Sequence, residues 1–140
     1  MTAVADASDL LVVDASVVVA LVASQASATE AIAARIGDGA LHAPTHLPVE
    51  VQSALRGLER GGVLTTPQAS FALRHAAGLP VELWPWEVLA DRAWELRSNL
   101  TTYDAGYVAL AERLGCPLLT ADRRVAAASV ARCPVEVIAL

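Results

Sequence analysis

The 140 residues are few enough for one domain and enough to bury a core. Ten arginines and no lysine face fifteen acids. The resulting charge of −5 has the wrong sign for gripping nucleic acid by bulk electrostatics, and the missing lysine excludes a P-loop. The longest apolar stretch, Val12 to Val22, is broken by Asp14 and Ser16, and Met1 to Asp9 carries no basic residue. We therefore expect a cytoplasmic chain with neither a membrane span nor a secretory signal. The apolar share of 55 % is high for such a domain and predicts a covered subunit or partner face.

Residues 1–9 read as a flexible extension of a single domain covering 1–140. Leu10 to Val13 is a β-branched apolar run, expected as a strand buried on both faces. Ser16 to Leu21 and Ala28 to Ile36 read as helical, the second stopped by Gly37-Asp38-Gly39. Leu41 to Ala43 is a second strand ended by Pro44. Leu47 to Arg60 is a long helix, and Thr66-Pro67 opens another that runs to Gly78. Val81 to Leu83 is a third strand, Trp84-Pro85-Trp86 a turn, and Glu87 to Leu96 a helix. The last third gives a helix over Tyr103 to Leu114, a strand over Leu118 to Thr120, a helix over Asp122 to Ala131, and a final strand over Val135 to Ile138. Strands alternating with helices predict a parallel sheet covered on both faces. Cys116 and Cys133 lack the partners for a zinc site or a disulfide framework and read as small residues at strand entrances. His42, His46 and His75 read as ordinary surface or half-buried side chains.

Four acids stand out by position. Asp14 closes the first strand and Asp122 follows the fourth, where parallel sheets bind ligands. Either residue alone is explained as well by a helix N-cap. Glu50 lies at the edge of the stripe Leu47, Val51, Ala54, Leu55 and Leu58, near a helix start that favours anions, although a snorkelling glutamate fits there too. Asp104 sits in the first turn of its helix, where acids are also common for dipole reasons alone. Three of the four sit at strand-end or helix-start positions that can converge on one crevice. Carboxylates so gathered repel one another, and a hard cation such as Mg²⁺, or Mn²⁺ as substitute, relieves that repulsion. Two such ions would stand about 4 Å apart and would suit a phosphate ester.

The segments Val12-Val13-Asp14-Ala15-Ser16, Leu47-Pro48-Val49-Glu50-Val51, Tyr103-Asp104-Ala105-Gly106-Tyr107-Val108-Ala109-Leu110-Ala111-Glu112 and Pro117-Leu118-Leu119-Thr120-Ala121-Asp122, in this order, resemble a PIN-domain nuclease. The likeness is greatest to the VapC toxins of type II toxin–antitoxin pairs and covers nearly the whole chain. It implies a PIN-like α/β fold with a parallel sheet of about five strands in the order 3-2-1-4-5. It places a catalytic, metal-binding quartet on Asp14, Glu50, Asp104 and Asp122. Ser16 and Thr120 would support those ligands through their hydroxyls, or serve only as turn and capping residues. Arg97 with Asn99, and Arg123 with Arg124, would meet RNA phosphate, unless they simply end solvated helices.

The resemblance further implies a Mg²⁺-dependent endoribonuclease that leaves a 3′-hydroxyl and a 5′-phosphate. It would act as a homodimer, restrained by a VapB-like antitoxin that wraps the helical pair. An RNA-processing PIN nuclease without an antitoxin and a non-catalytic PIN interaction module are the alternatives. An aspartyl-nucleophile phosphohydrolase is disfavoured, because Ser16 stands where its second aspartate belongs and the chain has no lysine.

Overall fold

The computed structural model describes residues 9–128 and 130–140. Residues 1–8, which hold most of the expected N-terminal extension, lie outside the described residues. In chain order the elements are β1 (Leu10–Val13), α1 (Ala15–Ala23), α2 (Ala26–Ile36), β2 (Ala40–Pro44), α3 (Leu47–Arg60), α4 (Thr66–Ala77), β3 (Val81–Trp84), α5 (Ala90–Glu95), α6 (Thr102–Leu114), β4 (Leu118–Thr120), α7 (Arg123–Ala127) and β5 (Val135–Val137). All strand pairs are parallel, in the order β3-β2-β1-β4-β5, as the family resemblance implies. From β1 the chain steps outward to β2 and β3, then returns to lay β4 on the other flank of β1. That reversal opens a crevice between the carboxyl ends of β1 and β4.

Consecutive side chains of a strand point to opposite faces, yet Leu11, Val12 and Val13 are all buried. Both faces of the sheet are therefore covered. One helical group joins α1, α3 and α4; the other pairs α5 with α6 and rests α6 on β1 and β2. Helix α6 is the most deeply placed, with every residue from Ala105 to Ala111 buried. Thr101 caps its start by accepting from the Asp104 backbone N–H, and Gly115 ends it in the left-handed conformation (φ 64°) that glycine adopts without strain. Thr65 and Gln68 form a reciprocal capping box at the start of α4. Among the described residues, no helix is long and apolar enough to cross a membrane.

Three expected boundaries are corrected. The helix expected over Asp122 to Ala131 is the five-residue α7, ending at Ala127. Beyond it the chain must turn back so that the Pro134 carbonyl can accept from the Leu118 N–H and seat β5 against β4. The helix expected over Glu87 to Leu96 divides into a 3₁₀ turn at Trp86–Val88 and the six-residue α5. Leu89 separates them with φ −111°, and its fully buried side chain fixes the break. Finally, β3 runs one residue further than Leu83, because Trp84 pairs with Pro44, and the Trp84 carbonyl accepts from the Thr45 N–H.

Candidate active site

Asp14 leaves β1 at the crevice and is buried, with 6 % of its surface exposed. Its Oδ1 accepts from the Ser16 hydroxyl at 2.5 Å and from the Val17 N–H at 3.2 Å, the latter capping α1. Its Oδ2 accepts from the Thr120 hydroxyl. The same two hydroxyls accept in turn: Ser16 Oγ from the Ala121 N–H at 2.9 Å, and Thr120 Oγ1 from the Asp122 N–H at 3.0 Å. Ser16 and Thr120 thus lace the end of β1 to the turn after β4 and hold the Asp14 carboxylate in one orientation.

Burial pushes the Asp14 carboxyl above its ordinary 3.8, against the pull of those hydrogen bonds, and the Asp104 charge adds to the rise. Asp104 is half-buried in the first turn of α6. It too is raised, first by burial and then by the Asp122 charge, while Arg124 and His46 pull the other way. These three aspartates therefore share one field. Asp122 is held below the usual carboxylate range by Arg124, whose guanidinium reaches it at 2.9 and 3.1 Å; Asp122 also caps α7.

Glu50 approaches from α3. Its Oε1 accepts from the Tyr107 hydroxyl at 2.7 Å and lies 3.6 Å from His46 Nε2. Tyr107 is buried in α6, and its phenol is raised far beyond its ordinary range, chiefly by burial, then by Glu50, Asp14 and Asp104. It therefore stays a proton donor and ties Glu50 to the helix that carries Asp104.

His46 and Tyr107 are parts of the site that the sequence pattern does not single out. His46 ends the loop after β2, and Tyr107 follows its helix as an ordinary apolar-face residue. Nε2 of His46 donates to the Tyr103 carbonyl at 3.1 Å. The one available cue is the aromatic density of Tyr103 and Tyr107 around Asp104.

The predicted arginines fare differently. Arg123 is exposed. Arg124 is engaged with Asp122 while 91 % of its side chain meets solvent. Arg97 lies 4.4 Å over the Trp94 ring and donates to the Trp94 carbonyl.

The family model described as PIN domain matches residues 11–131. Ribonuclease VapC9 of Mycobacterium tuberculosis is 40 % identical over 129 residues, 92 % of this chain and 98 % of that protein. Ribonuclease VapC3 of the same organism is 42 % identical over 118 residues, 84 % of this chain and 86 % of the relative. This chain belongs to the PIN-domain family of VapC ribonucleases. Among solved structures, that of PAE2754 from Pyrobaculum aerophilum superposes with a TM-score of 0.66 at 26 % identity, covering 94 % of this chain and 85 % of that one.

The four acids of this PIN-domain crevice offer oxygen donors, which suit a hard divalent cation. Among the described residues, no three histidine, cysteine, aspartate or glutamate side chains stand in ready ligating positions. Mg²⁺ does not need them, since it keeps several waters and is commonly held by one or two carboxylates. Asp14 and Asp104, both raised by burial and coupled through charge, fit that requirement. Asp122 could join only by exchanging its bond to Arg124.

Proposed function

We propose that this VapC-family chain is a Mg²⁺-dependent endoribonuclease that acts at the Asp14 crevice as the toxin of a toxin–antitoxin pair. The observation that carries the reading is Asp14 itself. It is a carboxylate buried at the topological reversal, fixed by two hydroxyls and coupled to Asp104, and among the described residues it contacts no cationic partner. A buried charge in that state is costly unless a cation joins it. Asp14 and Asp104 would hold Mg²⁺, or Mn²⁺ in its place, with Glu50 and Asp122 completing the acidic group.

Bound there, the ion would polarise the phosphoryl oxygen and acidify a water molecule. Glu50, whose Oε1 is anchored by Tyr107, keeps Oε2 to accept a proton from the attacking water. Ser16 and Thr120 keep Asp14 from turning away. Arg124 neutralises Asp122 in the free protein and is exposed enough to take an RNA phosphate when Asp122 turns inward. Arg123 and Arg97 would add to that phosphate track. In-line displacement would leave a 3′-hydroxyl and a 5′-phosphate.

An apolar hollow of about 720 Å³ begins at Ser16 and Glu50 and continues past Val19, Ala54, Leu58 and Val63. We place a VapB-like antitoxin segment there, where it would close the crevice from the side. The working unit is taken to be a homodimer. Restored growth when the toxic chain is co-expressed with its antitoxin tests the pairing, and unimpaired growth at high expression of the chain alone would count against it.

Asp14→Asn and Asp104→Asn are each expected to abolish Mg²⁺-dependent cleavage of single-stranded RNA while circular dichroism reports an intact fold. Undiminished cleavage by both variants would remove the basis for placing the chemistry here.

A further inference from the structure

Beside the acidic crevice, Thr45, His46, Trp86, Thr102 and Tyr103 line an open hollow of about 370 Å³. The chain contains only six phenylalanine, tryptophan and tyrosine residues, and three of them, Trp86, Tyr103 and Tyr107, surround His46. Their ring centroids stand 5.8, 5.7 and 4.9 Å from that of His46, each meeting it edge to face. Tyr107 belongs to the core. Tyr103, by contrast, is 59 % exposed although it adjoins Asp104 in the chain. An aromatic ring left in water at the lip of a catalytic crevice invites a second ring to cover it.

The surround of this hollow is set before any ligand arrives. His46 is fixed by its bond to the Tyr103 carbonyl, so the wall is tied to the first turn of α6. Gly106 lets His46 and Trp86 lie directly on that helix; a Cβ at this position would stand 2.7 Å from His46 Cε1 and 2.8 Å from Trp86 Cζ3. A rigid aromatic surface loses little entropy on binding. The hydroxyls of Thr45 and Thr102 at the same hollow can each donate or accept at a base edge. The volume falls within the roughly 300–1,000 Å³ of small-ligand sites.

We propose that this hollow is a nucleobase subsite, in which Tyr103 and Trp86 stack an unpaired base flanking the scissile phosphate. The proposal rests on the ribonuclease reading and deepens it, because it selects RNA that is single-stranded at the cut. A paired base cannot be splayed into the hollow without first losing its own stack.

The test uses a short single-stranded oligoribonucleotide, remade with an abasic site at each position flanking the cut. Wild type should lose about 5- to 160-fold in kcat/KM when one particular position is abasic, the size expected for one base–aromatic stack. Tyr103→Ala should lose the same factor on intact RNA and nothing further on that abasic RNA, whereas Tyr103→Phe should behave as wild type. Additive losses at every position, or full activity in Tyr103→Ala, would overturn the subsite. If wild type cleaves no RNA at all, the nuclease reading fails on its own account. The subsite is then decided by binding to oligoribonucleotides carrying 2-aminopurine at successive positions. Quenching at one position by wild type and Tyr103→Phe, but not by Tyr103→Ala, supports it; equal quenching by all three overturns it.

Discussion

Three of the four acids at the crevice are held by neighbours of different chemical kinds: Asp14 by hydroxyls, Glu50 by a phenol, Asp122 by a guanidinium. The Tyr107 bond to Glu50 is the one most open to a clean test, since removing a single oxygen leaves the packing of a buried ring in place. Tyr107→Phe is expected to slow cleavage about tenfold, equivalent to roughly 1.4 kcal/mol in the barrier, with the helical content unchanged. Single-turnover rates at saturating RNA measure it, and an unchanged rate would mean that Glu50 needs no anchor. Asp14 and Asp122 were legible in the sequence because the end of a strand is a position that pattern alone can locate. Tyr107 and His46 were not legible as site residues. Their role depends on α3 and α6 facing one another, and no local spacing encodes that.

At the scale of elements, a polar clamp that joins several segments lies away from the crevice. Glu112 of α6 accepts from Arg92 of α5 at 2.9 and 3.2 Å and from the Arg132 backbone N–H at 3.1 Å, and Arg92 also reaches Glu95. This joins two helices to the segment that enters β5. Only 10 % of the Glu112 side chain is exposed, so removing it leaves a partly buried guanidinium without its main partner. Glu112→Ala should cost about 2–3 kcal/mol, read as a lower urea midpoint at constant m-value. The long helices α3, α4 and α6, two of them with side-chain caps, were expected from the sequence nearly to the residue. The short ones, α5 and α7, were overextended, because their ends are set by where Leu89 and Pro134 must sit and not by any local stop signal.

For the whole molecule, the acidic crevice sets stability against function. Asp14 and Asp104 are raised above 3.8, chiefly by burial, so the folded chain binds their protons more tightly than the unfolded chain does. Their contribution therefore worsens as pH climbs from that value through the folded pKa, and the deficit persists at neutral pH without metal. Asp104→Asn should accordingly melt above wild type in EDTA at neutral pH, and the difference should vanish as the pH falls well below 3.8. Adding Mg²⁺ at about a hundred times its dissociation constant should stabilise wild type by roughly 2.7 kcal/mol and the variant by much less. Differential scanning fluorimetry at two pH values, with and without the ion, reads all four conditions. Equal responses of both proteins would mean that the ion does not bind at Asp104.

From the sequence alone came the alternation of strands and helices, the family likeness, and the four acids with the cation they imply. The alternation and the positions of the acids follow from hydrophobic period and residue type, which are local, whereas the gathering of the acids around a cation is what the family resemblance implies. The tertiary structure decided which side chains serve those acids and where an aromatic hollow opens beside them. Both depend on the reversal that sets β4 against β1 and brings α6 across from α3. Contacts between residues as far apart as Asp14 and Thr120, or Glu50 and Tyr107, exist only once that packing is complete.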